Sequence, residues 1–186
     1  MPETTNQLRQ TIYASLMAAF IAAGAFISIP LGPVPITLQT LFVLLTGLLL
    51  GFKWGLGAIG VYLLAGAVGL PVFSQGRGGF AHFLGPTGGY LIGFIAAVCV
   101  VGLIADWIRH RLPENALSRF GLELLAVTLG TATIYAVGVP WLKTVAQLPW
   151  ETALSLGVIP FLIGDLVKIF ATVMIARIVR PLMNRS

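Results

Sequence analysis

Long apolar runs, separated by short polar or glycine- and proline-rich segments, dominate the 186-residue sequence. Six such runs lie at residues 8–29, within 36–70 as two runs divided at 51–55, and at 87–108, 122–139 and 154–179. Most of them reach the roughly 17–25 residues that a membrane-spanning helix needs, while the second and third are at the short end. The pattern predicts an all-α integral membrane protein, a bundle of six transmembrane helices that forms a single domain over residues 1–186.

Composition supports the same class of protein. Hydrophobic residues make up 58% of the chain and charged residues only 9%, whereas about 25% of the residues of a soluble domain are charged. The single cysteine, Cys99, cannot form an internal disulfide, and the two histidines, His82 and His110, are far apart in sequence. The sequence gives little support to a redox centre, a zinc site or a haem site, and no cofactor is expected.

The basic residues indicate how the chain is oriented in the membrane. They lie between apolar runs instead of forming a basic stretch, so the net charge of +5 does not indicate nucleic acid binding. Six spans place both termini on one side, together with Arg9, Lys53, Arg109, Arg111, Arg119, Arg177, Arg180 and Arg185. Only Arg77 and Lys143 fall in the opposite loops. Because basic residues are enriched in cytoplasmic loops, we expect a cell-membrane protein with both termini in the cytoplasm.

The glycine-rich stretch GRGGFAHFLGPTGGYLIGF (76–94) resembles a phosphate-binding loop at first sight. It contains no GxxxxGK[ST] pattern and does not follow a strand in a βαβ unit, so a nucleotide site is excluded by context. Two interpretations remain: a turn that leads into the fourth helix, or an outer loop that folds over a cavity. Arg77 is the only charge in this loop, and an isolated exposed arginine is ordinarily just solvated.

Two charged residues, Asp165 and Lys168, lie within the last apolar run. Their i, i+3 spacing puts them on one face of a helix. Charged residues within a span are costly and usually face the bundle interior or mark a ligand path. If the helix begins near Pro160, Asp165 lies about 7–8 Å below its outer end. We therefore favour a ligand cavity here, although an ion pair that only stabilises the helix is the alternative.

The segment PLGPVPITLQT (30–40) brings further polar groups to the same outer level. Three prolines cannot lie in a regular helix interior, which predicts an irregular loop or a broken helix end. Thr37 is suited to cap the second helix, whereas Gln39, just inside the span, is the better ligand candidate. Interrupted helix entries of this kind are typical of transporter sites.

The first run contains small residues at a spacing of four. In YASLMAAFIAAGA (13–25), Ala14, Ala18 and Ala22 form a stripe that allows another helix to approach closely. Periodicity alone does not say whether that helix belongs to the same chain or to a partner.

Four segments in the same order resemble the BioY family, the biotin-binding substrate components of energy-coupling factor (ECF) transporters. They are GPVPITLQTL (32–41), YLLAGAVGLPVF (62–73), GPTGGYLIGF (85–94) and GDLVK (164–168). The resemblance covers most of the chain, but residues 116–156 carry little of it. It implies six helices around an outward-facing ligand cavity that is capped by loops. It also implies docking, through the stripe of Ala14, Ala18 and Ala22, onto a transmembrane coupling protein that two ATPase subunits drive.

The resemblance further implies roles for the polar residues. The ureido ring of biotin offers two N–H donors, for which Asp165 is the expected acceptor, with Gln39 or Thr37 completing the polar set. Lys168 and Arg77 are candidates for the ureido oxygen and the tail carboxylate, and their assignment stays open. The remaining expected ligand contacts are the aromatic residues Phe73, Phe80 and Tyr90 and, in the glycine-rich lid, Gly79.

Three other functions are compatible with parts of the sequence. A substrate component for another vitamin, such as thiamine or riboflavin, fits the physical pattern equally well. A non-transport membrane assembly subunit would use Asp165 and Lys168 only to stabilise a helix. A membrane enzyme is disfavoured because the spans show neither a nucleophile–base pair nor paired carboxylates.

Overall fold

The computed structural model describes residues 2–113 and 117–185, and most of this chain is helical. The helices are α1 (Pro2–Phe26), α2 (Gln39–Ala67), α3 (Gly88–Arg111), α4 (Leu117–Val145), α5 (Trp150–Gly157) and α6 (Leu162–Arg185). Four helical stretches are long and apolar enough to cross a membrane: Gln39–Ala67, Gly88–Arg111, Leu117–Val145 and Trp150–Met183. The prediction of a mostly helical protein with several membrane-capable helices is confirmed, whereas the count of six spans is not.

The chain reverses direction within α2, at Gly51. The backbone there has φ 73° and ψ −168°, a conformation outside the helical region. Nε2 of Gln39 donates a hydrogen bond of 2.5 Å to the hydroxyl of Tyr62, although a straight helix would separate the two residues by about 34 Å. The two arms of α2, residues 39–50 and 52–67, therefore lie side by side and antiparallel.

The C-terminal end of α3 holds this reversal in place. Oδ2 of Asp106 accepts a hydrogen bond from the backbone N–H of Phe52 at 2.9 Å. Nη1 of Arg109 donates to the carbonyl of Leu49 at 3.3 Å, and its Nη2 pairs with Oδ1 of Asp106 at 2.9 Å. Backbone groups that the reversal removes from the helical ladder thus find partners on a neighbouring helix.

The helix assignment differs from the six separate runs of the sequence pattern. The second and third runs correspond to the two arms of α2, whereas α1 is not among the four membrane-capable stretches, because its first turns are polar. The sixth run is divided into α5, a 3₁₀ turn at Ile159–Phe161 and α6. The break occurs where Val158 leaves the helical conformation, with φ −131° and ψ −58°, and Pro160 supplies no backbone N–H.

The proline-rich segment contains a short β-hairpin, so the fold is not purely helical. Ser28–Ile29 pairs in antiparallel orientation with Ile36–Thr37, with Ser28 opposite Thr37 and Ile29 opposite Ile36. The hairpin closes the connection between α1 and α2 at the end of the bundle away from Gly51. Its position fixes where α2 begins and therefore where Thr37 and Gln39 lie.

The core is centred on α2, which packs against α1, α3 and α6. Leu44, Leu48 and Ile59 of α2 are fully buried. The outer surface of the bundle is apolar as well as its core, as expected where helices face lipid. On α1, for example, four exposed apolar side chains recur every fourth residue: Leu8, Ile12, Leu16 and Phe20.

Candidate functional site

A cavity of about 620 Å³, including space open to solvent, lies at the end of the bundle away from Gly51. It is lined by the starts of α2, α3 and α6, the second half of α4 and the two connecting loops. The lining residues are Val34, Pro35, Thr37, Gln39, Thr40, Ser74, His82, Thr87, Tyr90, Leu91, Phe94, Thr131, Ile134, Tyr135, Phe161, Asp165 and Lys168. Its mainly apolar wall with a few convergent polar groups is typical of a small-molecule site.

Asp165 and Lys168 form an ion pair in the cavity wall. Nζ of Lys168 lies 3.1 Å from Oδ1 of Asp165 and donates a second hydrogen bond, also of 3.1 Å, to the hydroxyl of Thr40. The hydroxyl of Tyr135 donates to Oδ2 of Asp165. The two charged side chains are only 9% and 8% exposed, so the pair is nearly dehydrated and its members depend on each other.

Thr37 and Gln39 place polar groups beside this pair. The hydroxyl of Thr37 accepts a hydrogen bond of 3.3 Å from the backbone N–H of Gln39, so Thr37 both lines the cavity and supports the start of α2. The Gln39 side chain is buried, and its Nε2 is engaged by Tyr62. Because Nε2 is fixed in this way, the Gln39 carbonyl oxygen has a defined direction, which suits an acceptor for a ligand N–H.

Aromatic rings form much of the remaining wall. The ring of Tyr135 lies edge-on to that of Tyr90, with centroids 6.5 Å apart, and 6.5 Å from the ring of Phe161. The Tyr90 hydroxyl donates a hydrogen bond of 2.9 Å to the carbonyl of Gly157, which ties α3 to α5. Tyr90 therefore lines the cavity while its hydroxyl connects two helices, and its contact with a ligand stays a prediction.

Four of the residues expected to contact the ligand do not line the cavity. Phe73 is fully buried beneath His82, and its ring stacks on the imidazole at a centroid distance of 5.1 Å. Phe80 is 68% exposed, and Gly79 lies beside it in the same loop. Arg77 points into solvent and donates a hydrogen bond of 3.2 Å to Oε1 of Gln75. In this conformation the loop thus closes the side of the cavity without placing Arg77 inside it.

Sequence reasoning missed several lining residues, of which Tyr135 is the most important. Tyr135 and Thr131 belong to α4, in the part of the chain with little family signature. Their i, i+4 spacing puts two polar side chains on one face of α4, and that signal was available in the sequence. The contact between Tyr135 and Asp165 could not be predicted from the sequence, because it joins residues of two different helices.

The surroundings of His82, in the loop over the cavity, disfavour its protonated form. His82 is half-buried and shares a 3.0 Å hydrogen bond with the hydroxyl of Thr87, the residue before α3, whose side chain makes no capping hydrogen bond to the helix. Burial lowers the pKa of the imidazole below its ordinary value of 6.5, and the positive charge of Arg77 lowers it further. The folded state consequently binds a proton at His82 less readily than the unfolded state does.

This shift predicts a loss of stability in mild acid. The contribution of neutral His82 is complete above pH 6.5 and is lost as the pH falls through the lower pKa of the folded protein, because the unfolded state takes up the proton first. Thermal unfolding in detergent between pH 7.5 and 5 is expected to show this decline, and His82→Gln is expected to reduce it. His110→Gln, at the other end of the bundle, is the matched control; an equal effect of both substitutions would contradict the assignment to His82.

The predicted docking stripe of α1 lies largely inside the chain's own core. Ala14 and Ala18 are each 6% exposed and pack with the core, while Ala22 is half-buried. The small side chains allow α1 to approach α2 closely. In this conformation Ala14 and Ala18 offer little surface to a second protein, and their role in a partner interface remains a prediction.

Comparison with known proteins assigns the chain to a family. The BioY family model matches residues 1–185. Biotin transporter BioY of Thermotoga maritima is 43% identical over 91% of this chain and 94% of its own length. Probable biotin transporter BioY of Pyrococcus horikoshii is 42% identical over 87% and 92%. The crystal structure of the S-component for biotin from an ECF-type ABC transporter superposes with a TM-score of 0.87 at 34% identity, covering 95% of this chain and 93% of that one. This chain belongs to the BioY family.

Proposed function

We propose that this protein captures biotin and takes it up across the cell membrane as the substrate-binding component of an ECF-type ABC transporter. It is a binding and transport protein, not an enzyme. The relatives named as biotin transporters and the solved S-component for biotin support this function. The observation that carries it in this chain is the buried pair of Asp165 and Lys168 in the wall of a largely apolar cavity.

The chemistry of biotin matches this cavity. The Asp165 carboxylate accepts from the ureido N–H groups, and the Gln39 carbonyl oxygen lies at the same level as a further acceptor. Lys168 donates to the ureido oxygen, while its bond to Asp165 keeps both charges paired when the cavity is empty. The rings of Tyr90 and Tyr135 pack on the apolar thiophane ring.

Arg77 is the candidate for the tail carboxylate. Its guanidinium is exposed and donates a hydrogen bond of 3.2 Å to Gln75 in the same loop, so contact with the ligand would require a movement of the 76–79 loop that turns Arg77 toward the cavity mouth. The positive φ values of Gly76 and Gly79, 68° and 94°, fit a loop whose backbone tolerates unusual conformations. Phe80, exposed beside it, would then cover the bound ligand.

The reversal at Gly51 supports a six-span topology with an outward-facing cavity. The proposed topology counts α1, the two arms of α2, α3, α4 and α6 as six crossings, with both termini on the cytoplasmic side. The first arm, residues 39–50, is only about 18 Å long, shorter than the roughly 30 Å hydrocarbon layer. Its start therefore lies below the outer surface, which leaves room for a cavity above it. The clustering of Arg109, Arg119 and Arg180 at the opposite end agrees with the positive-inside rule.

Energy for uptake is proposed to come from other subunits. A transmembrane coupling protein and two ATPase subunits would complete the transporter, because this chain carries no nucleotide-binding motif. The α1 stripe of Ala14, Ala18 and Ala22 remains the proposed docking region, with Ala22 its most accessible member. Docking through Ala14 and Ala18 would require α1 to shift relative to α2.

Calorimetric titration of the purified protein with biotin tests this function. We expect binding in the nanomolar range, because the site is preformed and buries both polar and apolar parts of the ligand. Thiamine and riboflavin, titrated in parallel, are expected to give no heat of specific binding. Specific binding of either vitamin in place of biotin would reassign the substrate. The absence of specific binding for all three vitamins would contradict a substrate-binding role.

A further inference from the structure

A second cavity lies at the Gly51 end of the bundle, opposite the cavity described above. Residues of α1, α2, α3 and α6 line it: Arg9, Gln10, Tyr13, Leu49, Arg109, Arg180 and Met183. Arginines supply three of these side chains, and no carboxylate is among the described residues that line the cavity. We call it the basic pocket.

Among the residues that the structure describes, the charge around the basic pocket is not balanced. Arg180 belongs to a cluster in which three arginines share Glu123, whose side chain is 1% exposed. Glu123 accepts hydrogen bonds from Arg180 Nη1 at 2.7 Å, from Arg119 Nε at 3.1 Å and from Arg177 Nε at 3.4 Å. One carboxylate cannot neutralise three guanidinium groups, and Arg9 adds a further positive charge at the pocket itself.

Buried hydrogen-bond donors accompany this excess charge. Nε of Arg9 and Nε of Arg180 are buried and have no hydrogen-bond partner in the described part of the chain. Native proteins rarely leave buried donors unsatisfied, so such groups usually indicate a missing water or ion. A water molecule satisfies a donor without balancing the charge, whereas an anion does both.

We propose that the basic pocket binds a phosphate-bearing anion, either the headgroup of an anionic phospholipid or free phosphate. Arginine suits this ligand because its planar guanidinium donates several hydrogen bonds to phosphate oxygens in a fixed geometry. Arg9 and Arg180 would contribute their unsatisfied Nε groups, and Arg109 would border the site. Arg109 is already paired with Asp106 at 2.9 Å, so its contribution is the smaller one.

The location favours a lipid headgroup as the source of the phosphate. The pocket opens between the ends of transmembrane helices, and in the proposed orientation it faces the cytoplasmic leaflet, where anionic lipids attract basic residues. The site is independent of biotin binding, because it lies at the other end of the bundle. Its test is therefore separate from that of the proposed function.

Thermal unfolding of the purified full-length protein in neutral detergent tests the proposal. One arm compares micelles containing phosphatidylglycerol with micelles containing phosphatidylcholine. The other compares sodium phosphate with sodium chloride at equal ionic strength. Saturating phosphatidylglycerol is expected to raise the Tm by about 5 °C relative to phosphatidylcholine.

Substitutions at the pocket distinguish it from general surface charge. Arg9→Gln is expected to raise the phosphatidylglycerol concentration needed for half of the Tm shift by about fivefold. Arg9→Lys keeps the charge but removes the Nε donor. The phosphatidylglycerol concentration that it needs is expected to lie between that of the unsubstituted protein and that of Arg9→Gln. Arg111→Gln, an exposed arginine at the same end but outside the pocket, is the matched control and is expected to behave as the unsubstituted protein. Circular dichroism in detergent confirms that each variant is folded, so this control does not depend on biotin binding.

Each outcome bears on the proposal. A response to phosphatidylglycerol alone identifies a lipid site, and a response to phosphate alone identifies a site for a soluble anion. Equal effects of Arg9→Gln and Arg111→Gln would reduce the pocket to nonspecific surface charge. No response to either anion would overturn the proposal and leave the excess charge to an acidic segment of a partner protein.

Discussion

Replacement of Asp165 by asparagine is expected to weaken biotin binding by at least about 100-fold. The substitution keeps the shape of the side chain but removes the charge that accepts hydrogen bonds from Lys168 and Tyr135. Lys168 is then left as an uncompensated charge in a nearly dehydrated wall, and the new amide N–H₂ group meets the ureido N–H groups of the ligand donor to donor. Calorimetric titration measures the loss directly.

Glu151→Gln is the matched control for this prediction. Glu151 is an exposed carboxylate at the start of α5, outside the cavity, and its neutralisation changes the net charge by the same amount. Its biotin affinity is expected to remain within about twofold of the unsubstituted protein, as for most surface substitutions. Lys168→Ala provides a second test of the same pair. If Asp165→Asn and Lys168→Ala both retain full affinity, the ligand site has been assigned to the wrong residues.

Gly51→Ala is expected to lower the free energy of unfolding by about 3 kcal/mol or more. With φ 73° and ψ −168°, Gly51 occupies a backbone region that is essentially restricted to glycine. A Cβ atom at this position would also overlap the side chains of Asp106 and Arg109, which hold the reversal. Differential scanning fluorimetry in detergent is expected to show a Tm lower by about 10 °C.

Gly57→Ala separates this effect from a general loss of glycine flexibility. Gly57 lies in the second arm of the same helix, is exposed, and leaves open space around an added Cβ atom. Alanine there is expected to be neutral or to stabilise by roughly 0.5–1 kcal/mol, because alanine loses less backbone entropy than glycine in a helix. A Gly51→Ala protein as stable as Gly57→Ala would show that the reversal does not depend on the glycine backbone.

The places where sequence prediction differed from the structure have identifiable physical causes. The glycines around residue 51 correctly marked an interruption. The pattern did not reveal that the chain reverses direction at Gly51 and that the helix continues directly after it. Pro160 was the only sign in the apolar run at 154–179 that this run is divided into two helices. An apolar composition is equally compatible with one helix or with two. The β-hairpin at 28–37 is too short for alternation to be detected.

The candidate site was predicted in part. Thr37, Gln39, Tyr90, Asp165 and Lys168 line one cavity, as the polar residues near the outer helix ends and the family resemblance indicated. Their roles in binding stay predictions. The positions of Arg77 and Phe80 depend on the conformation of an irregular loop, for which residue pattern is a poor guide.

The sequence by itself determined the class of protein, the extents of most apolar helices and the i, i+3 pairing of Asp165 with Lys168. These properties follow from composition and from the local period of a helix, which a linear pattern records. Only the tertiary structure decided that Tyr135 bonds Asp165, that Gln39 meets Tyr62, and that arginines of separate helices gather around Glu123. Such contacts depend on how helices distant in sequence pack against one another, and no local period encodes that choice.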